Sequence, residues 1–242
     1  MDCEPVRLCG TKAAGLDWGT ESFLTIADAE SSVETISNPR LGRRMARRLR
    51  VAHRDLSRKE RGSRNRRKAK QRLARLYRRL RNQRQEFLHQ TTNRLVRTYG
   101  MLATESLNVR GMTAAGGRHK RGLNREILNT APCTFLKILS CKAEEAGGWY
   151  VEFSPRHIKP TQTCYACGRP EKKSLANREH VCPCGVRCSR DEDAARVLVH
   201  WALIGKAPGS ERARCGELSA GLDHAIETQL SSEKQESPAK VA

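Results

Sequence analysis

The strongest constraint on the fold is a dense run of positive charge between residues 40 and 84. This segment holds 18 Arg and 3 Lys against Asp55 and Glu60, a net charge of +19, whereas the whole 242-residue chain carries +20. A solvated surface helix would mix both signs, because like charges at helical spacing repel one another. We therefore expect a polyanion along this surface, and nucleic acid is the partner that arginine-rich, bidentate phosphate contacts suit best.

Phosphate contact of this kind gives affinity without sequence reading. The candidate nucleic-acid-binding residues are Arg43, Arg44, Arg47, Arg48, Arg58, Lys59, Arg64, Arg66, Arg67, Lys68, Arg75 and Arg79.

The basic segment also contains a helical repeat of apolar positions. One helix face collects Leu73, Leu76, Leu80, Phe87, Thr91 and Leu95. This spacing predicts one long amphipathic helix over residues 63–98. Gly62 and Ser63 separate it from a shorter basic helix that we predict over residues 43–58.

Outside the basic segment, short apolar runs alternate with helical patterns. We predict strands within residues 13–30 (two strands around a turn at Gly19), 31–37, 99–109 and 149–155, and helices within residues 133–148 and 193–204. Residues 112–122 are rich in glycine and basic side chains, which predicts a flexible loop. Strands alternating with helices predict an α/β layered domain. From residue 205 the chain is polar and without periodicity, so we predict a disordered tail over residues 205–242.

The lack of long apolar runs indicates where in the cell the chain is expected. No apolar run approaches about 18 residues and no basic-then-apolar leader opens the sequence, so we expect a cytoplasmic or nucleoid-associated protein. The three tryptophans, Trp18, Trp149 and Trp201, are expected in the core. His119 and His180 are expected in solvent and not as metal ligands.

Two cysteine pairs predict a metal centre. Cys164-x-x-Cys167 and Cys182-x-Cys184 are separated by 14 residues, and a glycine follows each second cysteine. Four thiolates on two facing turns supply the tetrahedral geometry of structural zinc. Cys188 competes with Cys184 as the fourth ligand, and reduced structural thiols or a redox pair remain the alternative to zinc.

Three carboxylates occupy positions where a buried charge needs a partner. Asp17 lies inside an apolar strand, Glu105 ends another, and Asp191 opens the last predicted helix. If they converge, they could hold two Mg²⁺ ions, the arrangement used for phosphodiester cleavage. From spacing alone, each could equally be an ordinary turn or cap residue. Ser189-x-x-Glu192 also fits a capping box, which would give Glu192 a structural role.

The motifs taken together are more specific than any one of them. The segments "GLDWGTESFLTIAD", "ATESLNVRGM", "LNREIL", "TQTCYACG" and "VCPCGVRCSRDEDAARVL", with the basic stretch between the first two, resemble the C-terminal part of the TnpB (OrfB) proteins of bacterial insertion sequences. These are RNA-guided DNA endonucleases related to type V CRISPR effectors. The resemblance implies an α/β, RNase H-like, RuvC-type fold: a mixed sheet with flanking helices, a long basic helical hairpin and an inserted zinc module with four cysteine ligands.

The resemblance also implies residue roles. The catalytic, magnesium-binding carboxylates of the family fall on Asp17, Glu105 and Asp191. Its zinc cysteines match Cys164, Cys167, Cys182 and Cys184. The third motif usually runs Asp-Arg-Asp-x-Asn-Ala-Ala, so here Ser189 and Asp193 replace an Asp and an Asn, and the extra carboxylate of Asp193 is expected to disturb the metal geometry.

The expected domain order follows from the same resemblance. Residues 1–160 form the first part of the nuclease domain, residues 161–188 a zinc-binding module for target nucleic acid, here named the cysteine module, and residues 189–204 the final catalytic helix. Family members carry a large N-terminal part, so the resemblance predicts a truncated or short form of a DNA endonuclease that uses guide RNA. The alternative is a catalytically silent DNA- or RNA-binding remnant, or a regulator of transposition.

Overall fold

A mixed five-stranded sheet forms the centre of the structure, a computed structural model that describes residues 9–114, 116–118, 120–174 and 177–204. Its strands are β1 (Lys12–Trp18), β2 (Ser22–Asp28), β3 (Val33–Ser37), β4 (Tyr99–Glu105) and β5 (Trp149–Phe153). They lie in the order β3-β2-β1-β4-β5, with β1, β2 and β3 antiparallel and with β1, β4 and β5 parallel. The predicted strands and the mixed α/β class are confirmed.

Two helices follow the first three strands and form a hairpin. They are α1 (Leu41–Ser57) and α2 (Arg64–Thr98), close to the predicted bounds. The hydroxyl of Ser63 caps α2 by accepting a hydrogen bond from the amide of Arg66 at 3.1 Å, as expected for a serine N-cap. We name residues 40–84 the basic arm. It comprises α1 and the part of α2 that packs on α1.

The last part of α2 leaves the arm and covers one face of the sheet. Leu88, Leu95 and Val96 are buried there against Leu16 and Leu102 of the central strands. At about 1.5 Å per residue, the 35-residue helix is about 52 Å long. One helix therefore connects the charged hairpin rigidly to the core.

Three further helices connect β4 to β5. They are α3 (Val109–Thr113), α4 (Lys120–Thr130) and α5 (Pro132–Glu145). The prediction of a loop over residues 112–122 is wrong at both ends, because Asn108 caps α3 and the buried Ile127 anchors α4. The predicted helix α5 is confirmed, and its Phe135 packs edge-to-face on Phe23 with ring centres 5.1 Å apart.

The cysteine module follows β5. After α6 (Pro155–Ile158) and a 3₁₀ turn (Pro160–Gln162), the chain forms a hairpin of two short strands, β6 (Glu179–Val181) and β7 (Arg187–Ser189). This hairpin was not predicted, since each strand has only three residues. Its second strand runs directly into α7 (Arg190–Ile204), which confirms the last predicted helix.

Helix α7 covers the second face of the sheet. Its backbone lies so close to β1 that a Cβ on Gly15 would be 2.0 Å from the carbonyl oxygen of Ala195. Only glycine permits this approach. Val197 and Leu198 of α7 are buried against Ala103 and Phe153, so both faces of the sheet are covered.

No helix in the described ranges is long and apolar enough to cross a membrane. The predicted disordered tail, residues 205–242, lies outside the described residues.

Candidate active site and metal centre

Two of the predicted carboxylates are neighbours at the ends of parallel strands. The register of β1 and β4 pairs Leu16 with Thr104, so the next residues of the two parallel strands, Asp17 and Glu105, are neighbours. Side chains two residues apart share a sheet face, so Asp17 lies on the face of Gly15 and Glu105 on the face of Ala103. Both of those residues face α7. The sheet therefore presents the two carboxylates to the last helix.

The third carboxylate comes from the first turn of α7. Ala195 contacts Gly15, and Asp191 precedes Ala195 by about one helical turn. Asp17 is two residues beyond Gly15 along the strand, and the negative charge of Asp191 acts on it, so the first turn of α7 lies toward this end of β1. Asp191 is consequently brought toward Asp17, and its own carboxylate lies 3.6 Å from Nε of Arg190.

The electrostatics of the three groups agree with this convergence. Burial raises the pKa of Asp17 well above its usual value, the negative charges of Asp191 and Glu105 raise it further, and Arg190 acts in the opposite direction. Burial alone raises the pKa of Glu105. A cation between the carboxylates would remove this repulsion. Hard oxygen ligands of this type suit Mg²⁺.

Ser189 and Glu192 partly follow the predicted capping box. The hydroxyl of Ser189 accepts a hydrogen bond from the amide of Glu192 at 3.1 Å. The carboxylate of Glu192 does not return to the cap. It pairs instead with Arg196 at 2.9 Å, one turn further along the helix.

The four predicted zinc cysteines form a compact cluster. Their sulfurs lie within 4.8 Å of one another, with 3.8 Å between Cys164 and Cys184 and 3.5 Å between Cys167 and Cys182. Two Zn–S bonds of about 2.3 Å at the tetrahedral angle separate sulfurs by about 3.8 Å. Gly168 and Gly185 have positive φ angles of 69° and 95°, so each pair sits on a turn that favours glycine. The geometry fits a four-thiolate zinc ion.

Cys188, the alternative fourth ligand, lies outside this cluster. It sits in β7 opposite His180. Burial, followed by the negative charges of Asp193 and Glu192, raises the pKa of its thiol to about 11. The distinction from Cys184 is geometric: the structure groups Cys184, and not Cys188, with the other three cysteines.

A buried charged cluster lies beside the cysteines, and it was not predicted. Asp193 and His180 have fully buried side chains, and that of Lys173 is 4% exposed. Nδ1 of His180 is 3.1 Å from Oδ2 of Asp193 and also contacts Nζ of Lys173. The expectation that His180 is solvated is wrong, because its ring neighbours the Asp193 carboxylate in the interior. His119 lies outside the described residues.

Asp193 was expected to disturb the magnesium site. In the structure its carboxylate lies instead against the cysteine module. One of its oxygens accepts a hydrogen bond from the amide of Tyr165 at 3.0 Å, and the other faces His180 and Lys173. Burial still raises the pKa of Asp193. The residue therefore faces the cysteine module and not the predicted magnesium site. In the sequence, this residue was marked by standing where the family motif usually has an asparagine.

The basic arm exposes most of the predicted phosphate-binding residues. The exposed members are Arg43, Arg44, Arg47, Arg48, Arg58, Arg64, Arg67, Lys68, Arg75 and Arg79. The other two have internal partners. Arg66 donates to the carbonyl oxygens of Leu56 and Lys59 at 3.0 Å each, which caps the end of α1, and Lys59 pairs with Asp55 at 3.3 Å. For Arg66 the structure indicates a role in holding the hairpin closed.

The tryptophans divide between core and surface. Trp18 and Trp201 are partly buried against the two apolar clusters. The prediction is wrong for Trp149, which is 55% exposed at the start of β5.

Comparisons with known families and proteins match two segments of the chain and its fold. The family model OrfB_IS605, described as "Probable transposase", matches residues 4–115, and the model "Cas12f1-like, TNB domain" matches residues 133–198. Solved structures of Cas12f are similar in fold. A CRISPR-Cas12f ternary complex matches with a TM-score of 0.55 and 18% identity, over 81% of this chain and 40% of that one. A Cas12f1–sgRNA–target DNA complex matches with a TM-score of 0.50 and 15% identity, over 82% and 51%.

Curated bacterial relatives are named as candidate RNA-guided DNA endonucleases. One from Streptomyces pristinaespiralis is 36% identical over 82% of this chain and 47% of its own length. Rv2885c of Mycobacterium tuberculosis is 32% identical over 77% and 41%, and InsQ of Escherichia coli is 30% identical over 84% and 50%. The chain spans about half the length of these relatives. Together with the two family models, these matches show that the chain belongs to the OrfB (TnpB) family of insertion-sequence proteins.

Proposed function

We propose that this chain contains the metal-dependent DNA endonuclease core of a transposon-associated protein, with an RNase H-like, RuvC-type fold. The observation that carries the proposal is the placement of Asp17 beside Glu105 at the ends of β1 and β4, with Asp191 in the first turn of the helix that covers this face of the sheet. The names of the relatives, candidate RNA-guided DNA endonucleases, support the same reaction class.

In this proposal the three carboxylates hold divalent cations. Mg²⁺ bound there would activate water and stabilise the leaving oxygen of a phosphodiester. Asp17 is the central ligand in this proposal, since the register of β1 and β4 places it beside Glu105 and the contact of Gly15 with Ala195 places it near the first turn of α7. Arg190, next to Asp191, orients that carboxylate through the 3.6 Å contact.

The cysteine module has a structural role in the proposal. Cys164, Cys167, Cys182 and Cys184 hold one zinc ion, which closes two turns that have almost no apolar core of their own. Such a site is fully coordinated by protein and does no chemistry. Its position next to α7 makes residues 161–188 an insertion between the sheet and the last helix of the nuclease domain.

The proposed partners are DNA and a guide RNA. The exposed side chains of the basic arm supply phosphate contacts, and the related solved structures are complexes, one of them with guide RNA and target DNA. The arm consists of α1 and the first part of α2, and it contains none of the three carboxylates. Binding and cutting are therefore separable by mutation.

The test is a cleavage assay with the purified, zinc-loaded chain on labelled single-stranded DNA, with Mg²⁺ or Mn²⁺. We expect slow cutting that EDTA stops. Asp17→Asn, Glu105→Gln and Asp191→Asn should each abolish it while DNA binding is retained. Glu192→Gln is the matched control, because it removes a carboxylate from the same helical turn as Asp191, and it should cut at the wild-type rate.

Equal cutting by all variants would reveal a contaminating nuclease. An uncut substrate, with zinc content and DNA binding intact, would contradict the nuclease proposal for this chain and favour a non-catalytic binder.

A further inference from the structure

The first turn of α7 carries two carboxylates with different surroundings. Asp191 belongs to the proposed magnesium site and its side chain is 32% exposed. Asp193, two residues later, has a fully buried side chain that is surrounded by the cysteine module. A buried carboxylate is costly unless it is paired and hydrogen-bonded. Three separate segments of the module supply its partners: one hydrogen bond to Oδ1 and two close contacts to Oδ2.

Each segment supplies one group to Asp193. The turn between Cys164 and Cys167 supplies the amide of Tyr165 at 3.0 Å. Strand β6 supplies Nδ1 of His180 at 3.1 Å, and the loop before β6 supplies Nζ of Lys173 at 3.6 Å. The sulfur of Cys164 lies within 4.8 Å of ligand atoms of both His180 and Asp193. The first cysteine pair is thereby in contact with α7 through a buried carboxylate, and the ring of Tyr165 makes a second contact with the helix, 4.7 Å from the guanidinium of Arg196.

We propose that Asp193 is a positioning residue that couples the cysteine module to Asp191, so that zinc binding sets the geometry of the magnesium site. This inference rests on the proposed function. The coupling acts through the rigid first turn of α7, because side chains two residues apart on one helical turn cannot move independently of its backbone. At its other contact, α7 is fixed on β1 by the close approach of Ala195 to Gly15. The helix N-terminus is thus held between the sheet and the zinc-bound turns.

The lysine and the histidine explain why an aspartate fits here. The side chain of Lys173 is 4% exposed, and a buried ammonium needs a carboxylate beside it. An asparagine could still accept the hydrogen bond from Tyr165, but it would leave Lys173 without a negative partner on α7. Asp193 and Lys173 therefore act as a pair, and removing both should be milder than removing the aspartate charge alone.

The experiment measures Mn²⁺ affinity by titration and zinc content by metal analysis, on the full chain with circular dichroism as the check of folding. Asp193→Ala should retain one zinc per chain and bind Mn²⁺ about 10–100-fold more weakly, the range typical of lost outer-shell support. Asp193→Asn should have a smaller effect. Asp193→Asn combined with Lys173→Met should recover most of the affinity. Glu192→Gln, in the same turn, should bind Mn²⁺ as the wild type does.

Zinc removal completes the test. In the wild type, stripping zinc should weaken Mn²⁺ binding by a similar factor, whereas in Asp193→Ala its further effect should be smaller, since the buried connection through Asp193 is already lost and only the contact of Tyr165 with Arg196 remains. Unchanged Mn²⁺ affinity in Asp193→Ala would overturn the inference, and so would loss of zinc with normal Mn²⁺ affinity. Asp191→Asn separates the two proposals: if it too binds Mn²⁺ normally, the magnesium site itself is wrong.

Discussion

The charged side chains of the basic arm are exposed to solvent. At the end of the sheet and in the cysteine module, charged side chains are instead partly or fully buried. In the arm, ten of the predicted phosphate-binding side chains are exposed. At the sheet end, Asp17 has a strongly raised pKa, and in the module Asp193 and His180 are fully buried. Exposed charges on one surface are interchangeable, because each contributes a little to a common field. Buried charges depend on specific partners.

This difference predicts two kinds of mutational response. Changes in the arm should be graded, because each exposed arginine contributes a small part of a common field. Changes among the buried groups should be large and specific to one residue. The experiments that follow compare the two responses in order of decreasing expected effect.

The largest effect is expected at the zinc site. Cys184→Ser should lower zinc content from one ion per chain to near zero and unfold the module, because zinc affinity is folding free energy, about 10–16 kcal/mol in zinc-finger peptides. Cys188→Ser is the matched control, since its thiol lies outside the cluster, and it should retain zinc. Metal analysis after gel filtration measures both. Zinc retained in Cys184→Ser but lost in Cys188→Ser would reassign the fourth ligand.

The salt dependence of DNA binding is the next largest effect. If the arm contacts roughly 6–10 phosphates, affinity should fall by about 10³–10⁵ between 50 and 200 mM salt, with little dependence on sequence. Fluorescence anisotropy over a salt series measures the slope. A flat response would exclude the arm as a phosphate-binding surface.

Two adjacent arginines of the arm are expected to have different roles, Arg67 in phosphate binding and Arg66 in stability. Arg67→Gln removes an exposed charge, so it should reduce the salt slope by about one contact and leave stability unchanged. Arg66→Gln removes the two hydrogen bonds that close α1, each with a donor–acceptor distance of 3.0 Å. It should lower the free energy of unfolding by about 1.5–3 kcal/mol, the usual contribution of charged hydrogen bonds. Equal effects of the two changes on both measurements would show that Arg66 is an ordinary surface residue.

The sequence predicted the arm and the carboxylates for different reasons. The long helix was found to within a residue, since its apolar spacing and the Ser63 cap are local signals. Asp17, Glu105 and Asp191 lie far apart in the chain, and their spacing left ordinary turn or cap roles open. The resemblance to TnpB proteins singled them out, and the parallel register then brought Asp17 and Glu105 together.

The buried cluster could not be found in this way. Lys173 and His180 come from a loop and a three-residue strand whose positions depend on the cysteine turns. No local pattern distinguishes such residues from solvated ones, which is why His180 was assigned to the surface. The hydrogen bonds of Arg66 were missed for a related reason: nothing in an arginine-rich helix marks a side chain that turns back to cap its neighbour.

The smallest expected effect is the pH dependence of stability caused by the buried carboxyl of Asp17. Burial and its two acidic neighbours raise the pKa of this carboxyl in the folded protein. A raised carboxyl pKa means that the ionised form is disfavoured by folding, so the cost is fully present above the folded pKa and disappears as the pH falls toward the ordinary value. In buffer without Mg²⁺, Asp17→Asn should therefore be more stable than the wild type at neutral pH, and the two should converge in acid.

For a chain of this size, each kcal/mol relieved corresponds to a rise in Tm of about 2–4 °C. Added Mg²⁺ should raise the Tm of the wild type and leave that of Asp17→Asn nearly unchanged, because bound cations stabilise only the form that holds them. Thermal unfolding at several pH values measures this. The matched control is Arg67→Gln in the arm, whose exposed charge should give no such pH dependence. If the wild type were instead the more stable protein at neutral pH without Mg²⁺, the crowding of the carboxylates, and with it the predicted cation site, would be contradicted.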